Sequence, residues 1–165
     1  MRYLLVGLLL LASSALAGDL IGQPAPAFRG ETLAGEPFDL ADYLGKTPIV
    51  VHFWTSWCSP CRDEAPYWAW AQREHGDRVL IVGVNMTFQD TPDEARSFVK
   101  AYRWDFPVLA DGTHAVAAAY GVVVTTSPTT FFIGIDGTVV GRRIGAYKDK
   151  DAIEQDLLRL IHWRP

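Results

Sequence analysis

The sequence holds only two cysteines, Cys58 and Cys61, in 165 residues. That excludes a framework of structural disulfides and an all-cysteine zinc site. The four histidines, His52, His75, His114 and His162, supply no second closely spaced ligand pair to complete a zinc site around the cysteines. Basic runs are missing as well. The formal charge is −4, and no stretch of lysine and arginine is long enough to follow a phosphate backbone, so nucleic acid is excluded as a partner. No internal repeat, low-complexity tract or linker breaks the chain, and its length suits one domain. The longest apolar stretch, Tyr3 to Ala17, falls short of the roughly 20 residues a spanning helix needs. No cysteine follows it, which excludes a lipid attached through one at that place.

That stretch has another reading. Arg2 provides a short positive region, Leu4 to Leu11 is apolar apart from Gly7, and Ala15-Leu16-Ala17 places small residues ahead of Gly18. This is the pattern of a secretory signal peptide. The expectation is therefore a signal peptide over 1–17, with a retained anchor as the alternative, and one domain over 18–165. The location expected is periplasmic or otherwise extracytoplasmic.

Beyond the leader, turn signals and apolar patterning alternate. Ala27-Phe28 is the first candidate strand, and Gly35-Glu36-Pro37 marks a turn before a short strand. Ile49 to Trp54 is a short β-branched apolar run of the kind buried on both faces. A helix is predicted from Ser59 to His75 with Gly76 as its stop, then a buried strand over Val79 to Val84. A helix opened by Thr91 and Pro92 runs to Tyr102, and Phe106 to Leu109 is too short to assign. An alanine-rich helix over Thr113 to Tyr120 precedes strands over 130–135 and 138–144, joined by Asp136-Gly137 as a two-residue hairpin turn. A last amphipathic helix covers Asp149 to Ile161. The pattern predicts an α/β fold with a mixed central sheet flanked by helices and an N-terminal strand or hairpin extension.

The chemistry lies where the strand Ile49–Trp54 meets its helix. A cysteine at a helix start faces unpaired N–H groups and the positive end of the helix dipole, which stabilise the reactive thiolate. Cys58 is therefore the candidate nucleophile. Cys61, one turn on, suits the second step, in which it attacks the mixed disulfide and releases the reduced substrate. A disulfide between them closes too small a loop to stabilise a fold by chain entropy, so in an exported protein it is expected to cycle. Pro60 costs no hydrogen bond at the helix start.

The run Trp57-Cys58-Ser59-Pro60-Cys61-Arg62-Asp63-Glu64-Ala65-Pro66 resembles the active-site signature of thioredoxins, and especially the exported TlpA-like and ResA-like branch. Ser127-Pro128-Thr129-Thr130-Phe131 is similar to that family's cis-proline segment. Val82-Gly83-Val84-Asn85, Phe106-Pro107-Val108-Leu109 and Ala119-Tyr120-Gly121-Val122 also look like this branch. The resemblance implies a thioredoxin-like fold and a disulfide reductase working through a Cys58–Cys61 redox-active disulfide, with no cofactor and no metal. It implies that Pro128 shields Cys58, that the Ser127 backbone pairs with bound substrate, and that Trp57, Pro60 and Glu64 support the pair. It also implies protein disulfide substrates, including apocytochrome c, and a membrane thiol–disulfide donor that returns electrons.

Two positions depart from the pattern. Thioredoxins carry a buried acid six residues before the first cysteine, and here that position is His52, either a hydrogen-bonded core histidine or a relay for the proton leaving Cys61. The acid that ResA-like proteins place soon after the Val-Asn strand has its nearest counterpart in Asp90, past an insertion. Asp90 either reaches the cysteine site or serves as a loop acid or helix cap. The aromatics Tyr67, Trp68 and Trp70 on the active-site helix are read mainly as packing, with a partner-facing patch as the alternative. Two rival functions stay open: a thiol peroxidase, for which Thr55 fits the threonine position but Val51 stands at the proline position, and a copper-handling assembly module borrowing His114 or His162.

Overall fold

The computed structural model describes residues 19–165, so the leader predicted over 1–17 lies outside the described residues. Two short strands, β1 (Arg29–Glu31) and β2 (Pro37–Asp39), form an antiparallel hairpin. The main sheet is built from β3 (Ile49–Trp54), β4 (Leu80–Asn85), β5 (Val108–Ala110), β6 (Thr129–Ile133) and β7 (Val139–Ile144) in the order β5-β4-β3-β6-β7. β3, β4 and β5 run parallel, while β6 and β7 are antiparallel to their neighbours. The helices are α1 (Ser59–His75), α2 (Pro92–Tyr102), α3 (Ala115–Ala119) and α4 (Lys150–Ile161). This is the α/β thioredoxin-like arrangement with an N-terminal hairpin, as expected.

β3 occupies the centre of the sheet, and all six of its residues are buried. Its side chains alternate between two cores. Val50 and Trp54 pack under α1, α2 and α4 with Trp68, Phe98, Trp104, Ile153 and Leu157. Ile49, Val51 and Phe53 face the opposite side with Val82, Val84, Tyr120 and Phe131. A continuous apolar run is what a strand covered on both faces needs.

Several boundaries differ from expectation, each for a local reason. The first strand begins at Arg29, because Phe28 is used as a core side chain against Phe38 and Tyr120. The second buried strand is shifted by one residue, to Leu80–Asn85. The unassigned segment around Phe106 yields β5, held beside β4 by pairing of Gly83 with Val108. α3 is shorter than predicted, because the buried Asp111 carboxylate accepts the N–H groups of Val116 and Ala117 and starts the helix there. The β6–β7 connection is wider than a two-residue turn. Gly134 N donates to Thr138 O, Gly137 N donates to Gly134 O, and Gly137 adopts φ +86°, the geometry of a longer hairpin loop ending in a left-handed glycine.

Candidate active site

The loop Thr55–Trp57 carries the chain from the end of β3 into α1. Pro60 sits in the first turn of the helix, and Cys58 is its N-cap, with Sγ accepting the Cys61 N–H at 3.1 Å. Serine, threonine and aspartate usually fill that role, and here a sulfur takes the donor. The bond and the dipole of a 17-residue helix both favour a thiolate at Cys58. Cys58 and Cys61 are joined in a disulfide. Cys58 is 4% exposed and Cys61 0%, so an incoming sulfur meets Cys58 first. Pro66 lies inside α1 and leaves the Arg62 carbonyl without its helical donor.

Ser127 and Pro128 form the segment that leads into β6, next to the end of β3. Their peptide bond is cis, and Ser127 Oγ lies 3.4 Å from Cys61 Sγ. Gly145 N donates to Pro128 O at 2.8 Å, fixing this segment to the end of β7. Trp57 stands at the rim, 50% exposed, with its indole N–H donating to Gln89 O at 2.7 Å.

Asp90 reaches the site through the loop rather than through the sulfurs. Its carboxylate accepts Ser56 N at 2.6 Å, Ser56 Oγ at 2.7 Å, Asn85 Nδ2 at 2.8 Å and Thr91 N at 2.8 Å. Arg62 Nε donates to Ser56 O at 2.8 Å. Every polar atom of Ser56 is thereby held two residues before Cys58. Asp90→Ala is expected to leave the Ser56 and Asn85 donors unpaired and to cost about 2 kcal/mol of stability, read as a lower urea midpoint at unchanged slope. Asp90→Asn, which keeps one acceptor, should fall between the two.

His52 and Glu64 are buried together on the α1 side of the sheet. β3 directs His52 toward α1, where its ring lies 4.6 Å from that of Trp68. His52 Nδ1 is 3.0 Å from Thr130 Oγ1, and Nε2 is 3.4 Å from Glu64 Oε1. Glu64 Oε2 accepts the Tyr147 N–H at 2.7 Å. Burial lowers the His52 pKa to about 3 and keeps the ring neutral. Burial raises Glu64 to about 7, against the opposing pull of the Tyr147 N–H, the Trp68 indole and the positive charge of Arg143. Glu64 follows Cys61 by one turn of α1.

The structure thus brings Cys58, Cys61, Ser127 and Pro128 together, puts Trp57 at their edge, and pairs His52 with Glu64 in the buried interior. The polar contacts of His52 are to Thr130 and Glu64 rather than to a sulfur. Sequence reasoning missed Ser56, Gln89, Thr130 and Tyr147, whose contributions depend on chain segments far apart; no local motif signals them. Thr55, the residue that fits a peroxidase pattern, is fully buried. His114 stacks on Phe88, and His162 contacts Leu158 O, so neither has a polar contact with the cysteines. Among the described residues no cluster of three or more His, Cys, Asp or Glu is placed to hold a metal.

The profile of the AhpC/TSA family matches residues 21–142. The thioredoxin-like protein YneN of Bacillus subtilis is 35% identical over 137 residues, covering 82% of this chain and 78% of that protein. The thiol-disulfide oxidoreductase ResA of the same organism is 38% identical over 121 residues, 72% of this chain and 64% of that one. A secreted Mycobacterium tuberculosis disulfide oxidoreductase, homologous to Escherichia coli DsbE, aligns with a TM-score of 0.73 at 31% identity, covering 81% of this chain and 96% of that chain.

Proposed function

Because this chain belongs to the AhpC/TSA family, among its thioredoxin-like thiol–disulfide oxidoreductases, we propose that it works outside the cytoplasm as a disulfide reductase for protein substrates. The observation that carries the reading is Cys58 at the N-cap of α1 with Cys61 one turn behind it, fully buried and disulfide-bonded to it. In the reduced protein the Cys58 thiolate attacks one sulfur of the partner's disulfide. Cys61 then attacks Cys58 Sγ, the partner's second thiolate leaves, and the intramolecular disulfide re-forms. Trp57 borders the approach to Cys58, Pro128 shields that sulfur, and the Ser127 backbone aligns the partner strand. Asp90 and Arg62 hold the loop that aims Cys58. Glu64 takes up the proton that leaves Cys61, and the neutral His52 beside it holds that carboxyl in place.

The leader pattern over residues 1–17 and the secreted M. tuberculosis relative support an extracytoplasmic site. There a membrane thiol–disulfide donor supplies the electrons, and apocytochrome c is the substrate class to try first. The decisive experiment equilibrates the protein over residues 18–165 with dithiothreitol or glutathione buffers and reads the potential of the cysteine pair. A value near the thioredoxin end, about −270 mV, is expected; a value near about −120 mV, typical of a disulfide-inserting protein, would reverse the direction. Consumption of hydrogen peroxide in parallel would move the reading to a thiol peroxidase.

A further inference from the structure

Ser127 brings a side chain to the site as well as a backbone. Its Oγ is 3.4 Å from Cys61 Sγ, and among the described residues this is the one hydrogen bond to that sulfur. In the disulfide neither sulfur carries a hydrogen, so the serine hydroxyl is the donor. The two sulfurs are thus served differently: Cys58 Sγ receives the helix N–H of Cys61, and Cys61 Sγ receives a side-chain O–H. Cys61 is fully buried, which by itself raises the cost of a thiolate there. We propose that the Ser127 hydroxyl is a catalytic group of the second step, donating to the Cys61 thiolate and making it available near neutral pH. The proposal rests on the dithiol reading above and deepens it.

The Cys58 thiolate attacks one sulfur of the target disulfide, the S–S bond breaks, and the other target sulfur leaves and takes a proton. The Cys61 thiol loses its proton and its thiolate attacks Cys58 Sγ. The mixed disulfide breaks, and the first target sulfur leaves and is protonated. Two electrons pass from the cysteine pair to the target, and Ser127 keeps its proton throughout.

A hydrogen bond to an ionised acceptor shifts the acid equilibrium by about tenfold. Lowering a thiol's pKa also makes its thiolate a weaker nucleophile, by about threefold for that shift. The net effect changes sign with pH. Below the Cys61 pKa, Ser127→Ala slows the second step about threefold, because fewer molecules carry the thiolate. Well above the variant's own raised pKa, the variant is about threefold faster, because the freed thiolate is the stronger nucleophile. The buried ionisable groups on the α1 side of the sheet are Glu64 on α1, His52 on β3 and Tyr147, over which Arg143 of β7 lies, and Arg62 is committed to Ser56 O. All are present in both proteins, so the difference between their profiles isolates the hydroxyl.

The test mixes the reduced protein with one equivalent of 5,5′-dithiobis(2-nitrobenzoate) in a stopped-flow instrument. The first thionitrobenzoate released reports attack by Cys58, and the second reports attack by Cys61. Expected are a second-phase profile for Ser127→Ala displaced upward by about one pH unit, with the two curves crossing, and a Ser127→Thr profile that follows the wild type. Ser127→Gly serves as the second hydroxyl-free variant should Ser127→Ala fold poorly. Uniform slowing at every pH, or superimposable profiles, would overturn the proposal. Absence of a second phase in the wild type would instead overturn the dithiol reading beneath it.

Discussion

Serine in place of Cys61 is expected to halt turnover at the mixed disulfide and leave the partner covalently bound to Cys58. The nucleophile and its helix terminus are untouched in Cys61→Ser, and the N–H that Cys58 Sγ accepts belongs to the backbone of residue 61. Attack on the partner therefore proceeds. Resolution does not, because a serine hydroxyl is a far weaker nucleophile than a thiolate. Attack within a held geometry carries an effective molarity of roughly 10⁵ M or more. Millimolar external thiol does not replace it, so the adduct should decay at least about a thousandfold more slowly than in the wild type. Non-reducing electrophoresis of the variant with a disulfide-bonded substrate should show a band of the summed mass that dithiothreitol removes. Cys58→Ser should show no such band. An adduct formed through Cys61 in the Cys58→Ser protein, at a rate matching the first, would show that the two sulfurs have been assigned the wrong order.

The second large effect concerns Glu64 and the pH dependence of stability. Burial raises its pKa from 4.5 to about 7 in the folded protein. Between those values the folded state holds a proton that the unfolded chain has released, so this stability is complete below 4.5 and is lost as pH rises through 7. The shift corresponds to about 3 kcal/mol. His52 acts with the opposite sign, since its pKa is lowered from 6.5 to about 3. Its contribution is present above 6.5 and is lost as pH falls toward 3. Glu64→Gln preserves the shape and an acceptor for the Tyr147 N–H, and its amide is able to donate to His52 Nε2. Urea titrations of the oxidised proteins at pH 4.5 and pH 8 should therefore show the variant gaining about 3 kcal/mol on the wild type across that interval. Parallel stability curves would mean that Glu64 is ionised throughout and that another group holds the Cys61 proton.

Much of the fold was legible because it is locally encoded. The buried run Ile49–Trp54, the helix with Gly76 as its stop and the helix behind Thr91-Pro92 each carry their periodicity and caps within about one element's length. The weak points were short. β5 has three residues, too few for any pattern, and exists because Gly83 and its neighbours on β4 offer it an edge. The β6–β7 turn departs from a two-residue hairpin because an Asp-Gly pair suits two loop lengths, and the strand register decides between them.

The catalytic pair belongs to the first class. A cysteine at a helix start, a second one turn later and a proline between them are set by residues 58–61, because helix geometry and its terminal N–H groups act within a single turn. The surroundings of that pair belong to the second. His52 meets Thr130 because β3 pairs antiparallel with β6 in one particular register, across 78 residues of sequence. Glu64 receives its N–H from Tyr147, 83 residues away, and Asp90 reaches Ser56 across 34. Such contacts leave no periodic trace in the chain, since each joins elements whose relative placement is decided by burying both faces of the sheet. The sequence by itself determined which atoms exchange electrons. Only the packed structure decided which groups surround them, because desolvation and hydrogen bonding at a buried site depend on everything packed around it.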